Sequence, residues 1–297
     1  MSISFSWKIK QKYDGMLVRE FLRSKVELSR RALIDLKFNG GQIAVNGKEV
    51  SVRHTLVTND ELSIFFPDEK RSEILLAERL PLHIVYEDDH VLIINKESNM
   101  STIPSKEHPT SSLANGLIHY YNENGYSYAV HIVTRLDRDT SGLLLVAKHR
   151  FAHHLLSLQQ KDGDVNRTYS AILHGFLSEE SGMVDLPIGR HPDSIIERTI
   201  REDGKHALTN YEVVERTTKK TLVKLRLETG RTHQIRVHMA AIGHPLIGDT
   251  LYGGKRDGID RQALHCCNLS FIHPFTKEKM TFESDLPKDM TVLWQTP

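Results

Sequence analysis

The chain has 297 residues, 39% of them hydrophobic, enough to fill one large core or two. No stretch approaches the roughly 18 apolar residues of a membrane span, and the opening Met-Ser-Ile-Ser-Phe-Ser-Trp-Lys lacks the pattern of a secretion signal. With 39 basic against 38 acidic residues the net charge is +1, so a polyanionic partner would need a segregated basic face.

Residues 1–66 hold eleven Lys and Arg against seven Asp and Glu, a modest excess of positive charge. Leu17, Val18, Phe21 and Leu22 recur at helical spacing. Leu33, Ile34 and Leu36 do so after Ser29, a good N-cap, and Asn39-Gly40-Gly41 ends that second helix. Ile43 and Val45 alternate as a strand into Asn46-Gly47, a hairpin turn, and Leu62, Ile64 and Phe66 supply another strand. From Pro67 to Leu80 the composition turns to Asp-Glu-Lys-Arg-Ser-Glu, which marks a linker.

Beyond it, Ile84-Val85-Tyr86 and Val91–Ile94 read as two strands around the acidic turn Glu87-Asp88-Asp89, and Thr110–Tyr121 as a helix. Thr134–Gly142 is a dense polar loop running into Leu143–Ala147, an apolar run of the length of a strand buried on both faces. By composition Asp137, Asp139, Arg135 and Arg138 could be an exposed ion-pair loop. A polar loop at the mouth of a central strand is also where functional residues gather. Arg150–Gln160 is helical, and Asn166–Ile172 alternates as a strand. Residues 182–206 form a charged, loop-rich insert; strands around Thr217–Lys220 follow, and Thr232 can cap a helix running to Gly243. The histidine groups 149, 153, 154 and 233, 238, 244 lack the carboxylate or thiol that would complete a metal site, so no metal is expected. Cys266 and Cys267 are adjacent with no other partner, which points to reduced thiols in a cytoplasmic protein.

Three ordered strings carry a resemblance. Arg135-Leu136-Asp137-Arg138-Asp139-Thr140-Ser141-Gly142-Leu143 resembles the signature of the RluA-type RNA pseudouridine synthases. Arg167-Thr168-Tyr169-Ser170-Ala171 looks like that family's basic-x-Tyr-x-Ala element. Gly230-Arg231-Thr232-His233-Gln234-Ile235-Arg236-Val237-His238 resembles its C-terminal signature. In the first unit, Leu28-Ser29-Arg30-Arg31, Asn39-Gly40 and Ile43–Gly47 look like the small αL-type RNA-binding domain of ribosomal proteins.

The resemblance implies an α+β fold: an N-terminal helix-helix-hairpin RNA-binding domain (1–66), a linker (67–80), and a synthase domain (81–297) with a mixed, largely antiparallel central sheet. It implies Asp137 as catalytic carboxylate, Arg236 as its basic partner and Tyr169 as active-site tyrosine. Ile235 would pack on the target base, Arg231 would contact phosphate or base, and Arg135 would fill the space a displaced uridine leaves. Ser29, Arg30, Arg31 and Lys37 would face the RNA backbone. No cofactor is implied, and a monomer is the default. Large-subunit ribosomal RNA is the favoured substrate, with tRNA as the alternative. Two other classes stay open: a non-catalytic RNA-binding protein on the same fold, and an Asp-dependent glycoside hydrolase, although that chemistry ordinarily takes two carboxylates. Three positions depart from the family pattern: Glu97 for proline, Asn99 for glycine and Thr134 for histidine.

Overall fold

The computed structural model describes residues 3–105 and 109–296. In the first unit β1 (Ser4–Lys8), β2 (Gln42–Val45), β3 (Lys48–Glu49) and β4 (Glu61–Phe65) form an antiparallel sheet in the order β1-β4-β2-β3. Two helices, α1 (Val18–Ser24) and α2 (Arg30–Phe38), cover it with Phe21, Leu22, Ala32 and Leu36, all buried. The Ser29 hydroxyl accepts the Ala32 N–H at 3.1 Å and so caps α2 as its sequence position suggests.

The larger sheet is built from β5 (Ile84–Glu87), β6 (Val91–Lys96), β7 (His131–Ile132), β8 (Ser141–Ala147), β9 (Asn166–His174) and β10 (Ser181–Asp185). A small separate hairpin, β11 (Ile188–Arg190) with β12 (Arg198–Ile200), interrupts it before β13 (Leu208–Arg216), β14 (Lys220–Leu227), β15 (Leu264–Ile272) and β16 (Lys279–Glu283). The path is β10-β13-β14-β9-β15-β8-β6-β5, with β16 added to β15 and β7 to β8. β15 and β8 pair in parallel while the other described pairs run antiparallel, which is the mixed, largely antiparallel sheet expected. Helices α3 (Leu113–Glu123), α4 (Arg150–Asp162), α5 (Gln234–Ala241) and α6 (Lys288–Gln295) complete the fold.

All seven residues of β8 are buried, which is why that run carries no polar alternation. Its second residue must be glycine: Gly142 sits at φ +116°, and a Cβ there would lie 2.3 Å from the Cys266 carbonyl oxygen of β15.

Two sequence expectations change. The residues of the charged insert are partly ordered as β10, at the edge of the main sheet, and as the β11–β12 hairpin. Thr232 does not cap α5; the N-cap is His233, in the left-handed conformation at φ 58° with no side-chain cap bond. The side chain of Gln234 ties down this end instead, accepting from the Thr229 hydroxyl at 2.7 Å and the Arg231 N–H at 3.0 Å.

The segment 67–80 contains no helix or strand, yet it is tethered. Glu69 accepts the Arg150 N–H at 2.7 Å, and Arg71 donates to carbonyls of Tyr126 and Tyr128. The two units also share apolar surface. Phe5 of β1 stacks on Phe275 at 4.9 Å between ring centroids, and Phe151 and Leu155 of α4 join the first unit's core. An ion pair between Arg150 and Asp35 closes the contact. Because α4 follows β8, this docking point lies at one end of β8 and the 135–140 loop at the other. Seven residues of strand separate them by about 20 Å.

Candidate active site

The 135–140 loop is held on its hidden side by donor-only groups. Lys96, 1% exposed, donates to the carbonyls of Glu97, Met100 and Arg138 at 2.7, 2.8 and 3.0 Å. Burial pulls its pKa down to about 7, against the opposing pull of Asp139 and Asp137. Three acceptors match the three protons of an ammonium group, so this geometry suits the charged form. Arg261 donates to the Asp139 carbonyl at 3.2 Å and is itself held by Asp289 of α6 at 2.7 and 3.0 Å. The departures from the family pattern have local explanations. Thr134 accepts the Leu145 N–H at 2.9 Å and pins the loop to β8. Asn99 adopts φ 61°, a conformation glycine takes freely and asparagine tolerates, and accepts from Arg138 at 2.6 Å. Glu97 pairs with His83 at the surface.

With its backbone fixed, the loop presents Asp137 to a cleft of about 880 Å³ lined also by Arg135, Tyr169, Arg231, Ile235 and Arg236. All six residues that the sequence suggested as catalytic or substrate-binding thus share one cavity. Asp137 is about one-quarter exposed, and Arg236 of α5 reaches it at 3.3 Å. The guanidinium is committed mainly elsewhere: it donates to both oxygens of Asp249, at 2.7 and 2.9 Å. Burial alone would lower the pKa of Arg236, but the Asp249 hydrogen bonds and charge, then Asp137, hold it above its ordinary value. The cation is therefore permanent, and one face of it packs near the Tyr252 ring, 4.9 Å from the centroid. Tyr252 also bonds His233 Nδ1 at 2.7 Å, and His233 Nε2 lies 3.9 Å from Asp137. Burial keeps the His233 pKa below that of a free imidazole, so it is neutral at pH 7.

Tyr169 is almost wholly buried, and its hydroxyl accepts from Arg167 at 3.3 Å. Burial raises its pKa above that of a free phenol, so the hydroxyl stays protonated at neutral pH. Ile235 is 4% exposed, an apolar wall of the cleft. Arg231 is exposed and donates to the His206 carbonyl at 2.9 Å, while Arg135 is exposed at the rim with no hydrogen bond among the described residues. The expected backbone-facing group lies far off on the first unit, where Arg30, Arg31 and Lys37 are exposed. No group of three or more potential metal ligands occurs among the described residues. A second cavity of about 550 Å³ lies between the units, where Arg150 pairs with Asp35 and donates its N–H to Glu69.

The residues that sequence reasoning missed are Asp249, Tyr252, His233, Lys96 and Arg261. Gly248-Asp249 to Tyr252-Gly253 continues the stretch that resembles the C-terminal signature, but the string assigns Asp249 no role, and its pairing with Arg236 is visible only in the fold.

An accessible carboxylate against a buried arginine, beside an apolar wall and a buried tyrosine, makes a cleft that can receive a planar, neutral ring. The RNA pseudouridylate synthase family model matches residues 90–241. The RNA pseudouridine synthase YjbO of Bacillus subtilis (strain 168) is 56% identical over 278 residues, covering 94% of this chain and 98% of the relative. The ribosomal large subunit pseudouridine synthase D of Vibrio cholerae is 41% identical over 268 residues, covering 84% and 81%. Among solved structures, human RNA Pseudouridylate Synthase Domain Containing 1 superposes with a TM-score of 0.58 at 27% identity, covering 73% of this chain and 86% of that one. The chain belongs to the RNA pseudouridine synthases, of the RluA type, isomerases that convert uridine within RNA to pseudouridine.

Proposed function

We propose that this enzyme acts on large-subunit ribosomal RNA, with Asp137 as catalytic carboxylate and Arg236 as its fixed counter-ion. The observation that carries the assignment is the 3.3 Å contact between an accessible Asp137 and a guanidinium whose other donors are tied to Asp249. The substrate class follows the relatives named for the ribosomal large subunit.

The reaction breaks the bond from uracil N1 to C1′ of the ribose, turns the ring and joins C5 to C1′. The C5 proton leaves and N1 gains one, so composition is unchanged and the balance calls for no oxidant, reductant or energy source. The Arg236 guanidinium stands opposite the Asp137 carboxylate at 3.3 Å, and holding ring and carboxylate together in the cleft supplies proximity. The target must leave its stack to enter. Ile235 and the Tyr169 ring offer apolar surface for the base. Tyr169, protonated at neutral pH, serves as wall or donor rather than base. Arg135, exposed at the rim, is placed to fill the gap in the RNA, and Arg231 to meet a phosphate or base edge. The 1–66 unit, joined through 67–80 to the 81–297 catalytic unit, adds phosphate contacts through Arg30, Arg31 and Lys37. Ser29 acts there chiefly by capping α2. The enzyme is taken to work as a monomer in the cytoplasm, a reducing compartment that the free thiols Cys266 and Cys267 suit.

Pseudouridines mapped across total RNA from cells lacking the gene, and from the same cells restored with wild type or Asp137→Asn, test this. A large-subunit site that returns only with wild type is the expected result. A lost site in tRNA would overturn the substrate class, and restoration by Asp137→Asn would overturn the catalyst.

A further inference from the structure

On α2 the buried face is Ala32, Asp35 and Leu36, and the opposite face should be polar. It is not. Ile34 is 43% exposed and Phe38 is 72% exposed, one helical turn apart on one face, where side chains are neighbours. Arg30 continues the same stripe one turn earlier, and Lys37 and Arg31 flank it, all exposed. The Lys37 ammonium lies 4.5 Å from the centroid of the Phe38 ring. Single exposed apolar residues are ordinary on a surface. An aromatic ring this open, beside an isoleucine and under a lysine ammonium, with Arg30 farther along the same stripe, is a different arrangement.

We infer that Phe38, backed by Ile34, is a stacking platform for an unpaired base of the substrate RNA, with Arg30 and Lys37 meeting the adjoining phosphates. The inference rests on the RNA-facing role proposed for this unit. An exposed ring on a basic face is the chemistry by which single strands are held, because every base has a face to stack and every linkage a charge to neutralise. Paired bases hide those faces inside the helix, so a loop, bulge or single-stranded segment fits and a continuous duplex does not. Asp35 of this helix pairs with Arg150 at the start of α4, which places α2 at the end of β8 remote from Asp137. The stacked base and the target uridine are then held about 20 Å apart or more along the protein. They belong to different parts of one RNA, and the pair would act as a spacing rule for substrate choice.

The test is equilibrium binding of the full chain to two labelled RNAs, a hairpin with an unpaired loop and its stem alone as a blunt duplex, over a salt series. Phe38→Ala should weaken hairpin binding about 5- to 140-fold, the range for loss of one stacked base. Duplex binding should not change, and Phe38→Trp should restore the hairpin. The salt dependence of Phe38→Ala should match wild type, since no phosphate contact is lost, whereas Lys37→Ala should reduce the slope by about 1. The exposed ring makes a folding defect easy to exclude by an unchanged thermal midpoint. Wild-type hairpin affinity in Phe38→Ala would overturn the inference and leave the patch to a protein partner. Equal losses on both RNAs, or no wild-type preference for the hairpin, would overturn it as well. Pseudouridine formation on large-subunit RNA by wild type is measured alongside: its absence would refute the functional reading, independently of how Phe38→Ala binds.

Discussion

Replacing Asp249 with asparagine tests how the candidate site is held together. Asp249 is 1% exposed at its side chain and takes two hydrogen bonds from Arg236, which is itself 9% exposed there. The amide keeps one acceptor but turns the other position into a donor facing a donor and removes the buried counter-charge. Breaking one side of a buried ion pair costs about 3–5 kcal/mol. With one acceptor retained, about 3 kcal/mol is the expected loss, or a fall in Tm of about 6–12 °C for a chain of this size class. The remaining carboxylate near Arg236 is Asp137 at 3.3 Å, so the guanidinium should shift toward it and close on the carboxylate proposed to meet the uracil. A displacement of about 1 Å at a reacting group can cost about 100-fold in rate. Thermal unfolding and single-turnover pseudouridine formation by Asp249→Asn would measure both effects, with RNA affinity as control, because Asp249 is sealed from the RNA. A wild-type Tm and rate would refute the reasoning outright. A lowered Tm with an unchanged rate would show that Asp249 stabilises the fold without positioning Arg236.

Tyr169→Phe removes a hydroxyl that burial keeps protonated, so the rate should fall less than about tenfold; a loss of 100-fold or more, the range of general acid–base catalysis, would assign it proton transfer. Tyr169→Ala should cost about 3–5 kcal/mol in denaturant unfolding, as for other buried aromatic truncations. Gly142→Ala should lose more than about 4 kcal/mol and yield little soluble protein, because its Cβ would meet the β15 backbone at 2.3 Å. Burial pushes His149 down to about 3 and His265 to about 4, so both are neutral when folded but bind protons when unfolded below the ordinary imidazole value. Their contribution to stability is therefore full above pH 6.5 and is lost as pH falls toward those folded values. Chemical denaturation at pH 5.5 should give about 3 kcal/mol less stability than at pH 7.5 from these two groups, and Tm profiles flat across that range would contradict it.

The fold and the cleft were legible wherever chemistry and chain order coincide. The β8 run is uniformly apolar because both faces are covered, and the loop before it is polar because it leaves the sheet there. Gly142 reads as an ordinary turn residue, but its intolerance of a side chain comes from β15, more than a hundred residues away, pressing on it. Ser29 was readable as a cap because capping is local. The expectation for Thr232 failed for a nonlocal reason: Gln234 reaches back to Thr229 and across to the Leu208 carbonyl, and this network holds His233 in the left-handed conformation.

The supporting shell was illegible because it is made of long-range pairs between common residue types. Lys96, Arg236 and Arg261 are three buried cations, and each is kept inside by acceptors from other elements: carbonyls for Lys96, Asp249 for Arg236, Asp289 with loop carbonyls for Arg261. Two of them, Lys96 and Arg261, grip the backbone of residues 138 and 139, and the third touches the side chain of residue 137. A carboxylate in such a loop cannot relax toward its arginine without breaking carbonyl bonds that have no water to replace them, since the donors are buried. Asp137 therefore stays extended into the cleft while the Arg236 guanidinium is held back by Asp249. The resulting 3.3 Å contact, longer than either Arg236–Asp249 bond, leaves the carboxylate accessible from the cleft.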